Sequence, residues 1–111
     1  MIELTQDEYQ QVRRLLATYV PGCEVRAFGS RVHRRNIKPW SDLDLVVMSA
    51  PERAHWQSDL QEACAESDLP FVVDIADWAQ LSPAFRAVIA QEGSVVLQQH
   101  HQGDAQTFGE D

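Results

Sequence analysis

The sequence predicts an α/β fold, a small mixed β-sheet flanked by helices, and three observations carry that prediction. Stretches with helical spacing of apolar residues alternate with short runs rich in β-branched residues, in the order α-β-α-β-α-β-α-β. Glycine and proline punctuate the junctions at Pro21–Gly22, Gly29 and Gly93. The length, 111 residues, bounds the chain to one domain with one core.

Each element has a local reason. Thr5 followed by Glu8 has capping-box spacing, and Tyr9, Val12, Leu15, Leu16 and Tyr19 then mark one helical face. Residues 23–28 read as a first strand, broken by Gly29, and residues 30–35 as a short helix. Residues 36–41 read as loop, with Pro39 disfavouring helix. Residues 42–48 (DLDLVVM) read as a central strand. Residues 51–66 read as a helix with the stripe Trp56, Leu60, Ala63 and Cys64. Residues 71–75 read as a third strand. Ser82 and Pro83 suit the cap and first position of a last helix that Gly93 stops, and residues 95–97 add a short strand. A domain over residues 1–98 and a loose polar tail over 99–111 are expected.

Composition excludes several classes. No apolar stretch approaches the ~20 residues that span a bilayer. The polar, acidic start MIELTQDEYQ is unlike a signal peptide, so a cytoplasmic protein is expected. Cys23 and Cys64 lack metal-type spacing and read as buried reduced thiols. His33, His55, His100 and His101 form no plausible metal set. The net charge of −8 argues against broad nucleic-acid binding. Against that background Arg31, Arg34, Arg35 and Lys38 form a local basic loop suited to a specific anion, unless it is simply a solvated loop.

Three features then combine. A strand–Gly29–Ser30–helix junction lets backbone approach a ligand and offers helix-terminal N–H groups to phosphate. Asp42 and Asp44, two apart at the head of an apolar strand, share one face, where their like charges repel unless a cation intervenes. Magnesium suits such oxygen donors and binds together with substrate phosphates. Asp74, after Phe71–Val72–Val73, faces the pair if the third strand lies beside the second. There it can complete a metal site or accept a proton. Asp77 is the competitor for that third role. Arg31 lies within reach of phosphate, and Trp40 suits either base stacking or packing.

With these residues in order, GSRVHRRNIKPWSDLDLVV resembles the signature of the DNA-polymerase-β-like nucleotidyltransferases: Gly-Ser, a spacer, Asp-x-Asp on a strand and a third Asp on a later strand. The resemblance covers roughly residues 25–75, with a spacer one residue longer than the family usually has. Size points to the minimal members, similar to the antitoxins of HEPN/MNT pairs. The resemblance implies ATP as donor, two magnesium ions, and AMP transfer to a tyrosine of a helical HEPN-domain RNase toxin. It implies Gly29 and Ser30 on the triphosphate, Asp42 and Asp44 on the metals, and Asp74 as third carboxylate. The short chain is expected to take its acceptor surface from another protein or from another copy of itself. Occlusion of a toxin without catalysis and transfer to a small molecule are the alternatives.

Overall fold

The computed structural model describes residues 2–33 and 41–100. The first helix, α1 (Gln6–Tyr19), starts where the capping box sets it: the Thr5 hydroxyl accepts from Glu8 N–H, and the Glu8 carboxylate accepts from Thr5 N–H. Strand β1 (Val25–Phe28) leads through Gly29 into α2 (Ser30–His33), a single turn. Strand β2 (Leu43–Val47), helix α3 (Trp56–Ala65), strand β3 (Val73–Asp77), one 3-10 turn (Trp78–Gln80), helix α4 (Pro83–Glu92) and strand β4 (Val95–Gln98) follow.

The four strands form one mixed sheet in the order β3-β2-β1-β4. Strand β1 is antiparallel to both β2 and β4, and β2 is parallel to β3. The strands place alternate residues on opposite faces. One face carries Val25, Ala27, Leu43, Leu45, Val47, Val73 and Ile75, which join Val12 and Leu16 of α1 and Trp56, Leu60 and Cys64 of α3 in the core. The other face carries Phe28, Asp44 and Asp74.

The predicted α/β class and mixed sheet hold, and several boundaries move. Helix α3 begins at Trp56 rather than Pro51, because His55 adopts a left-handed conformation (φ 63°) that breaks the helical run. Strand β3 begins two residues later than expected. Its pairing with β2 starts where Leu43 N–H donates to the Val72 carbonyl, while Phe71 lies against the Arg31 guanidinium. The same shift draws Asp77 into the strand, opposite Val47. Both cysteines are free and buried, and burial pushes the Cys64 thiol up to about 11, which keeps it protonated.

Candidate active site

The site is built at one end of the sheet, on the face away from the core. Gly29 ends β1 with φ +84°, a conformation that disfavours other residues, and its carbonyl accepts from Val32 and His33 N–H to start α2. A Cβ on Gly29 would lie 2.5 Å from Asp44 Oδ2. The Gly-Ser turn therefore rests directly against the second aspartate of the Asp-x-Asp pair. Because α2 is only one turn long, this close approach outweighs any helix dipole in defining the site.

Asp44 stands between two neighbours in the sheet. Its antiparallel partner is Phe28 and its parallel partner is Asp74. The register therefore sets Asp44 and Asp74 side by side on one face. Asp42 lies exposed, just before β2. The Asp44 carboxyl is pushed up to about 6, first by burial and then by the charges of Asp74 and Asp42. Two like charges press on a half-buried carboxylate, an arrangement with no folding benefit.

Asp77 has a backbone partner. Its carboxylate accepts from Ala79 N–H and caps the 3-10 turn. Asp74 is exposed and lies beside Asp44, so the two candidates for the third carboxylate differ plainly in placement.

Arg31, expected to reach phosphate, is buried. It is 4% exposed, and its guanidinium donates to the carbonyls of Ser41 (Nε, 2.9 Å) and Glu3 (2.7 Å) while lying 4.2 Å over the Phe71 ring. It ties the N-terminal segment, the approach to β2 and the approach to β3 together. A buried guanidinium needs several acceptors, and these neighbours supply them. Arg34, Arg35, Lys38 and Trp40 lie outside the described residues.

Phe28 and Phe85 were not singled out from the sequence. Phe28 meets Phe85 of α4 edge-on with ring centroids 5.9 Å apart, closing the carboxylate face on its β1 side. The alternation in CEVRAF, which sets Phe28 opposite Val25 and Ala27, is the signal that locates it.

The donor set fits magnesium in its chemistry: all oxygen, acidic, and electrostatically strained without a cation. Among the described residues, no three acidic, histidine or cysteine side chains already form a metal-holding group. Magnesium commonly takes one or two protein carboxylates and completes its shell with water and substrate phosphate, so a preformed cage is not required.

No family model matches the chain. It is 40% identical over 99 residues to a probable protein adenylyltransferase MntA from Haemophilus influenzae, covering 88% of this chain and 85% of that protein. Two solved structures share its fold. A toxin–antitoxin structure with AMP-PNP superposes with a TM-score of 0.66 at 22% identity, and a mutant MntA–HpeT toxin–antitoxin structure with 0.63 at 20%. Each match covers 87% of this chain and 77% of the other. With that sequence identity over nearly the whole of both proteins, and a Gly-Ser turn set against an Asp-x-Asp strand, the chain belongs to the MntA family of minimal nucleotidyltransferases.

Proposed function

We propose that this protein is an antitoxin that transfers AMP from ATP to a tyrosine hydroxyl of a cognate HEPN-type RNase toxin in the cytoplasm and so neutralises it. The observation that carries the reading is the contact of the Gly29 turn with Asp44, beside Asp74 in register. The MntA relative is named a probable protein adenylyltransferase, and both structural neighbours are toxin–antitoxin assemblies, one with an ATP analogue.

In this reading Gly29 and Ser30 hold the triphosphate, with backbone close to phosphate because no Cβ intervenes. Asp42, Asp44 and Asp74 are the residues that would hold magnesium. When bound, the ions would neutralise phosphate charge and stabilise the leaving group. Asp74, the most open of the strand carboxylates, accepts the tyrosine proton as the phenolic oxygen attacks the α-phosphorus. The new O–P bond forms as the bond to the β-phosphate oxygen breaks, and pyrophosphate leaves in line. Arg31 holds the scaffold around these groups rather than the substrate.

The test is the mass of the toxin after co-expression. Wild-type protein adds one or more AMP units, and the Asp44→Asn variant adds none while remaining folded. An unmodified but neutralised toxin with the wild-type protein would replace transfer with occlusion.

A further inference from the structure

We propose that Gln61 of α3, assisted by Gln57, is a positioning residue for Asp74; the inference rests on the reading of Asp74 as the third carboxylate. Strand β3 is an edge of the sheet. The Val72 carbonyl just before it turns inward to Leu43 N–H, so backbone alternation turns the Val73 and Ile75 groups outward, where no further strand among the described residues pairs with them. Such groups need partners.

Gln61 supplies them. Its side-chain N–H donates to the Val73 carbonyl, and its side-chain oxygen accepts from Ile75 N–H at 3.1 Å. These are the two peptide groups that bracket Asp74. One primary amide thus makes the bonds that a residue of an adjoining strand would make. One helical turn earlier, Gln57 donates to the Ile75 carbonyl at 2.7 Å. The pair forms a surrogate strand along the free edge. Asp74 is therefore held through its own register with Asp44 on one side and through Gln61 on the other.

The side chain of Gln61 lies on the edge of β3, beside a hollow of about 400 Å³ that it lines with Cys64, Leu69, Phe71, Val72 and Val73. It touches backbone, not the carboxylate. Its effect on the site is to fix where the Asp74 Cα sits and how the strand is rotated there. Groups bonded directly to a metal ligand commonly change metal affinity about 10- to 100-fold when removed, and Gln61, acting one step further back through the backbone, is expected near the lower end of that range.

The experiment titrates magnesium into the full-length protein saturated with AMP-PNP, and measures AMP-PNP affinity without metal as a control. For Gln61→Met, which keeps length but no amide, magnesium affinity falls about tenfold. The variant stays folded by circular dichroism and binds metal-free AMP-PNP within about twofold of wild type. Gln57→Met, which loses one bond further from Asp74, shows the smaller loss. A folded Gln61→Met with wild-type magnesium affinity overturns the proposal. Should that variant fail to fold, hydrogen exchange of the wild-type protein decides: a protected Ile75 amide supports the bond to Gln61, and one exchanging at the rate of a solvated edge overturns it. Asp74→Asn separates the two levels. If it keeps magnesium affinity, the reading of Asp74 falls and this inference with it; if it loses affinity while Gln61→Met does not, only the positioning role falls.

Discussion

At Asp44 the fold keeps a carboxylate in a place that favours its proton. The unfolded chain releases that proton near 3.8 and the folded chain near 6, so the folded state binds more protons between those values. Stability of the metal-free protein therefore falls as pH rises through that window and levels off above it. For a half-buried group screened by solvent, the cost is on the order of 1–2 kcal/mol. Asp44→Asn is expected to remove this slope and raise the melting temperature at pH 7 while abolishing AMP transfer, checked by melts at pH 4.5 and 7 beside a labelling assay. A melting temperature lower than wild type at pH 7 would contradict the electrostatic account. Gly29 offers a second residue-scale prediction. Gly29→Ala carries a left-handed penalty of about 1–2 kcal/mol and drives a methyl into the Asp44 carboxylate. Gly93→Ala carries positive-φ strain too (φ +93°) but meets nothing within 4 Å. Transfer from α-labelled ATP should fall at least about tenfold more for Gly29→Ala than for Gly93→Ala at matched folded fraction. Local residue type makes Gly29, Ser30, Asp42 and Asp44 stand out in the sequence, because glycine freedom and paired charge carry their reasons with them, and the fold sets Gly29 against Asp44. The burial of Arg31 was not legible in the sequence because its neighbours Glu3, Ser41 and Phe71 are remote or ordinary there, and only tertiary packing turns a loop arginine into a buried clamp.

The elements differ in how much of their placement is local. Helix α1 was readable to the residue at its start because a capping box is a short-range device, and the start of α4 followed from Ser82 and Pro83 in the same way. The start of β3 was not, because it depends on where β2 offers a partner and on Phe71 packing under Arg31. The placement of Asp74 and Asp77 depends on that register, since a two-residue shift brings both into the strand but leaves only Asp74 facing away from the core. Arg31 is the joint between these elements. Arg31→Lys keeps the charge but cannot reproduce the guanidinium bonds to the Glu3 and Ser41 carbonyls together with the stacked ring contact. It is expected to cost about 2–3 kcal/mol of stability, read from urea unfolding. In the surviving folded fraction, affinity for metal-free AMP-PNP should stay close to wild type. A selective loss of nucleotide affinity with unchanged stability would return Arg31 to the phosphate.

Across the whole molecule the two faces of the sheet are unequally supported. The core face is sealed by α1 and α3 through Val12, Leu16, Trp56, Leu60 and Cys64. On the other face α4 buries only Ile89 and leaves Phe85 41% and Val88 44% exposed; its ties include the Phe28–Phe85 contact, the Arg86 bonds to the Trp78 and Ala79 carbonyls and a 4.0 Å approach of Glu92 to His33. Little buried apolar surface means a low free energy of local opening. The Asp-Leu-Asp alternation at the head of β2 made the carboxylate face legible there, whereas the strand order that sets β1 and β2 at the centre depends on long-range pairing. Native-state hydrogen exchange should therefore divide the molecule. Amides of β1 and β2 should exchange only through global unfolding, while those of α4 exchange at least about tenfold faster, a gap of about 1.4 kcal/mol. Exchange should rise with low denaturant in β1 and β2 but stay nearly flat in α4, because local opening exposes little new surface. Equal protection in α4 and in the central strands would mean that the carboxylate face is as firmly built as the core. The inequality leaves the carboxylates on the less constrained side of a rigid sheet, where Asp44 and Asp74 keep their spacing while the cover beside them can open.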